Sequence, residues 1–208
     1  MKNQSVRTSI LLLGFVSLLA DLSSDMMMPI LPMFIISLGG TGLVVGLIGG
    51  LGDSVASILK VFSGYWSDRL GKKKALVFSG YSVSAISKLF FPLSTIWHHL
   101  AILRPIERVG KGMREAPRDA MIAAYTEKGK KRGKWFGVHR AMDNSGAILG
   151  SLIAFLLFWY MGFDFRTILW VSALIAFLAL TPFAKIKDVY SKRKKSACRW
   201  VFLSFHTL

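Results

Sequence analysis

The sequence predicts an all-α membrane protein of six transmembrane helices. Three observations carry that expectation. Of 208 residues, 53% are hydrophobic and only 18% charged, and mean hydropathy is +0.48, above the usual range of soluble domains. Several apolar stretches reach the roughly 17 to 25 residues that cross a bilayer as a helix. The basic residues gather between those stretches instead of along one face.

The spans fall at about 10–36, 43–62, 75–93, 100–124, 136–161 and 167–183. The connections 37–42, 94–99 and 162–166 are short, so consecutive helices are antiparallel neighbours. Residues 1–188 form the bundle, and 189–208 form a basic tail. Lys2 and Arg7 precede the first span, but no small-residue cleavage site follows a short apolar core, so the segment reads as a retained helix. Basic loops stay on the cytoplasmic side. Lys2, Arg7, Arg69, Lys72 to Lys74, the cluster Lys128 to Lys134 and the tail from Lys185 to Arg199 carry 18 basic residues, against Arg166 alone in the three opposite loops. Both termini are therefore expected in the cytoplasm of a multi-pass cell-membrane protein.

The first span holds Asp21 and Asp25, four apart and so on one face. Met26, Met27 and Met28 are consecutive and cannot share a face, which favours packing over a soft-metal site. The second span has Gly42, Gly46 and Gly50 at close-packing spacing, followed by Asp53 and Lys60. Lys88 interrupts the third. The fourth carries Arg104, Glu107, Arg108, Lys111, Arg114, Glu115, Arg118 and Asp119 within an arc of about 140° at 100° per residue, opposite Ile102, Ile106, Val109, Met113 and Ala120. The fifth has His139, Arg140, Asp143 and Asn144 before a second close-packing pair, Gly146 and Gly150. Arg140 and Lys60 sit near cytoplasmic ends, where long side chains snorkel.

Each charge at a helix centre costs on the order of 2.5 to 3.5 kcal/mol. Such residues persist where they face a wet interior or one another, so the intramembrane charges are the functional signal. Asp21, Asp25, Asp53, Arg104, Glu107, Arg108 and Lys111 are the candidate path residues, and Arg108 is expected to pair with Asp21 or Asp25. A second reading of the fourth segment makes its half from Arg114 onward an interfacial amphipathic helix.

Other classes are disfavoured. A net charge of +16 invites a nucleic-acid reading, but no zinc-finger, RNA-recognition or helix-turn-helix pattern accompanies it. The single Cys198 excludes an internal disulfide and a multi-cysteine metal site. No zinc-type His and Glu motif occurs, and Gly110-Lys111-Gly112 lacks the flanks of a phosphate-cradling loop, so neither an enzyme, an ATP-driven pump nor a cofactor is expected.

The run Gly64-Tyr65-Trp66-Ser67-Asp68-Arg69-Leu70-Gly71-Lys72-Lys73-Lys74 resembles the signature loop of the major facilitator superfamily. Gly71 allows a tight turn, Asp68 can cap a helix start, and the lysines hold the loop in the cytoplasm. Arg108, Gly112 and Pro117 resemble the family's helix-four pattern, which implies proton coupling. Gly150 is followed by Ser151 where the antiporter motif has proline. The resemblance covers residues 9 to about 188 and implies the N-terminal half of the family's fold, built of two three-helix repeats, in a secondary transporter of a small solute. A full member has two such halves around a midplane site. The sequence therefore reads as a truncated half whose partner is the missing C-terminal half or a second copy of itself. A non-transporting membrane remnant or interaction protein is the alternative.

Overall fold

The computed structural model describes residues 2–71, 73–126, 132–183 and 186. The expected tail at 189–208 lies outside them. Six helices follow in order: α1 (Lys2–Ser37), α2 (Gly42–Leu70), α3 (Lys73–Phe90), α4 (Trp97–Tyr125), α5 (Arg132–Phe155) and α6 (Phe165–Phe183). A π-helical turn, Leu156–Tyr160, continues α5. Each helix overlaps one expected span, and α1 and α2 run eight residues past it at one end. The ends of the bundle are fixed by contact. Arg166, in the first turn of α6, donates to the Ser94 carbonyl in the α3–α4 connection at 3.1 Å.

Four of the six helices are long and apolar enough to cross a membrane: α1, α2, α5 with its π turn, and α6. By composition α3 and α4 fall outside that set. The 18-residue α3 contains Lys73, Lys74 and Lys88, and α4 carries the ionic arc. The six expected spans thus correspond to six helices, four of them with a stretch long and apolar enough to cross a membrane.

α1 lies against α5 and α6, α4 lies against α2 and α3, and α3 meets α6. Glycines permit these approaches. A Cβ at Gly146 or Gly150 would collide with the backbone carbonyls of Leu18 and Leu22, so α5 rests directly on the main chain of α1. A Cβ at Gly80 would lie 2.7 Å from the Gly110 carbonyl, and one at Gly112 would lie 2.6 Å from that of Ala56. The expected role of Gly42, Gly46 and Gly50 is corrected: nothing lies within 4 Å of a Cβ built at any of them. Their row runs along a bare face of α2, because α2 packs on α4 through its opposite side.

Apolar clusters close both ends. Leu13, Val16, Val77, Tyr81, Met121 and Phe183 gather at one end, and Phe34, Ile48, Phe91, Leu100 and Leu169 at the other. The ionic residues occupy the layer between. α4 is inverted relative to a soluble amphipathic helix: Ile102 is 64% exposed while Arg104 is 2% exposed. One continuous helix carries Arg114 and Arg118 into the core, which argues against a separate interfacial second half.

Candidate functional site

The middle layer holds two ionic clusters strung along α4. The first is centred on Glu107, which is fully buried. Its carboxylate accepts from Arg104 Nη1 at 3.1 Å, from Ser24 at 3.3 Å and from Ser84 at 3.3 Å, with Arg108 Nε 3.7 Å away. Lys88, 1% exposed, donates to Ser23 at 2.8 Å and Ser24 at 2.9 Å, so Ser24 relays it to Glu107. Arg108 also pairs with Asp53 at 3.4 Å, whose carboxylate is open to the bare face.

The second cluster lies two turns further along α4. Arg114 pairs with Asp21 at 3.4 Å and stacks 4.5 Å above the Tyr81 ring, a cation–π contact strengthened by desolvation. Arg118 reaches Asp143 at 3.1 Å and Asp119 at 3.6 Å and donates to Ser17 at 3.1 Å. Ser17 meets the Tyr81 hydroxyl at 2.8 Å. Asp143 also faces His139 at 3.6 Å and Arg140 at 3.8 Å. A buried charge keeps its place only when paired and hydrogen-bonded, and α1, α3, α4 and α5 all contribute to that pairing.

The expected pairing of Arg108 with Asp21 or Asp25 is corrected by helix register. Antiparallel packing sets Asp21 level with Arg114, and Met28 level with Arg104 and Arg108. Asp25 is half-buried and enters no ion pair among the described residues; its backbone carbonyl accepts from Ser151 at 3.4 Å. Pro29 has no N–H to offer that carbonyl, so the α5 serine supplies the donor. Lys111 is half-buried, and Asn144 and Arg140 are exposed. Lys60 pairs with Glu115 at 2.8 Å near the surface.

In the signature loop, Gly71 takes φ 67° and its N–H bonds to the Ser67 carbonyl, ending α2 as a left-handed cap. Asp68 is exposed in the last turn of α2, not at a helix start, which corrects its expected capping role. Arg69 reaches the Tyr65 hydroxyl at 3.4 Å. A Cβ at Gly64 would lie 3.4 Å from the Ala116 methyl, an ordinary contact between α2 and α4. Lys73 is buried, and Lys72 lies outside the described residues. In the helix-four pattern, Gly112 seats α4 on α2 and its carbonyl accepts from Ser63 at 2.9 Å. Pro117 is buried within the helix.

Sequence reasoning did not single out Ser17, Ser23, Ser24, Tyr81, Ser84 or Ser172. Ser23 and Ser172 exchange reciprocal bonds of 2.7 Å to each other's carbonyls across α1 and α6. The one available signal was spacing, since Ser84 and Lys88 are four apart on one helix face.

The family model described as Major Facilitator Superfamily matches residues 13–203. The chain belongs to the Major Facilitator Superfamily. It is 44% identical over 186 residues to an uncharacterized MFS-type transporter of Methanocaldococcus jannaschii, covering 89% of this chain and 46% of the relative. It is 30% identical over 166 residues to the multidrug resistance protein MdtH of Photorhabdus laumondii, covering 79% of this chain and 40% of that protein. The fold matches the crystal structure of the peptide transporter POT in complex with sulfate at a TM-score of 0.75 and 19% identity, over 89% of this chain and 41% of that one. The chain thus spans less than half the length of these superfamily relatives.

Proposed function

We propose that this chain is one six-helix half of a secondary transporter that moves a small solute through a path lined by α1 and α4, coupled to protons. The observation that carries the reading is the line of buried ionic side chains from Arg104 to Arg118 on α4, retained in a layer where each unpaired charge is costly. Protonation of a carboxylate in such a layer releases its guanidinium to another partner, a switch of the kind coupled transport needs. α3 and α4 cross the bilayer with the other four helices, their polar surface turned inward, and both termini lie in the cytoplasm.

The packing favours two three-helix repeats. α1 packs on α5 and α6 as α4 packs on α2 and α3, the pattern produced by exchanging the first three helices with the last three. The bare face of α2, with Gly42, Gly46, Gly50 and Asp53, is the wall that meets a second six-helix unit. That unit is either further chain or a second copy, and one half alone presents an open half-site. The name of the Photorhabdus relative makes drug-like compounds one part of the solute panel to be tried.

The test is transport by the two-half protein in liposomes with an imposed pH gradient. Arg108→Ala abolishes uptake or efflux on this reading, while Ile102→Ala on the exposed apolar face does not. Equal activity of the two variants removes the α4 ions from the mechanism.

A further inference from the structure

The Glu107 cluster carries more positive than negative charge. Arg104, Arg108 and Lys88 surround the single buried carboxylate, and Asp53 offsets Arg108 only from the open rim. Lys111 and Asp25, both half-buried, add one charge of each sign. The Nε of Arg104 is buried and has no hydrogen-bond partner among the described residues, and that of Arg108 faces the Asp53 and Glu107 carboxylates at 3.4 and 3.7 Å without a hydrogen bond to either. The Nη2 atoms of both arginines converge on one atom, the Met28 sulfur, at 2.9 and 3.6 Å. A thioether is a weak acceptor, a poor match for two guanidinium donors that would each prefer an oxyanion. Met28 is 43% exposed on the bare side of α1, so it can swing away without disturbing the core.

We infer that Arg104 and Arg108 form an oxyanion-binding pair that takes a carboxylate or phosphate group of the solute at the position the Met28 sulfur occupies. This rests on the transporter reading and adds the substrate class: a small organic anion. Arginines at i and i+4 stand on one face of α4, so their forks can hold two oxygens of one group. Glu107 keeps the guanidiniums oriented, and the arriving anion balances the excess positive charge. Met28 is the side chain that must leave, which makes it a plug over the site.

The test uses the 208-residue chain purified in dodecyl maltoside, with melting followed by tryptophan fluorescence. Sodium phosphate and sodium succinate are titrated at ionic strength held constant with sodium chloride. At about tenfold excess over Kd, either probe should raise the wild-type midpoint by about 3 to 6 °C. Met28→Ala should bind more tightly, and Arg104→Gln or Arg108→Gln at least about tenfold more weakly. Met28→Glu places a carboxylate on the pair within the chain, so it should raise the midpoint and abolish the response to both probes, whatever the arginine variants do to folding. A lowered midpoint in Met28→Glu, or no saturable shift in either wild type or Met28→Ala, overturns the inference. Stabilisation by phosphatidylglycerol micelles but by neither soluble probe makes the pair a lipid-headgroup site and overturns it too. Transport of an uncharged or cationic solute by a two-half protein whose arginine pair binds neither probe sinks this inference alone. Binding of the probes with no transport of any anion sinks the transporter reading instead.

Discussion

Glu107→Gln removes one negative charge from the most enclosed point of the bundle with little change in shape. The carboxylate is fully buried and is approached by Arg104 at 3.1 Å, Ser24 and Ser84 at 3.3 Å, and Arg108 at 3.7 Å. The amide retains one acceptor oxygen but turns an NH2 group toward groups that are themselves donors. Breaking a buried pair by removing one member costs about 3 to 5 kcal/mol. The control is Glu115→Gln. Its pair with Lys60 is shorter, at 2.8 Å, but the side chains are 22% and 46% exposed, so the loss is about 0 to 1 kcal/mol. Burial, not distance, decides the difference. At roughly 2 to 4 °C per kcal/mol for a chain of this size, Glu107→Gln lowers the melting midpoint in detergent by about 6 to 20 °C and Glu115→Gln by under about 4 °C. Adding Lys88→Met to Glu107→Gln should restore part of the loss, because one fewer cation is left uncompensated. Equal midpoints for the two single variants would refute the claim that the ionic layer holds the helices together.

The glycines give a second contrast. Gly150→Ala forces a methyl against the Leu22 carbonyl and should cost about 1 to 3 kcal/mol in melting experiments, whereas Gly46→Ala enters open space and should be neutral or stabilising by up to about 1 kcal/mol. For topology, single cysteines in a Cys198→Ser background should be labelled by an impermeant maleimide in intact cells at Ile96→Cys and not at Asp68→Cys; the opposite pattern reverses the orientation. Asp164 precedes α6 outside the spans, and the hydroxyl of Thr167 donates to its carboxylate and holds its pKa below the ordinary aspartate value. A carboxyl depressed in the folded state contributes stability at neutral pH that is lost as pH falls through its folded value. Thr167→Val should therefore move the Asp164 titration, followed by NMR, back upward, and an unmoved titration would remove the hydrogen bond as its cause.

Composition and spacing were enough to show six helices, the polar arc of α4 and the tight turn at Gly71. Each depends on local chemistry: apolar length, the 100° step of a helix, a positive φ that glycine tolerates. Partner choice was not legible. Arg108 and Arg114 both stand on the polar arc of α4, but packing register gives Asp21 to Arg114 and leaves Met28 and Asp53 to Arg108. Gly42, Gly46 and Gly50 have the same spacing as Gly146 and Gly150, yet one row is bare and the other is pressed against α1. The serines that bind Lys88 and Glu107 looked like ordinary span residues until three helices brought them together. A sequence specifies which residues share one helix face, because that depends on the chain's own geometry. Which faces meet, and at what height, is settled by the joint packing of several helices, and only the tertiary structure contains it.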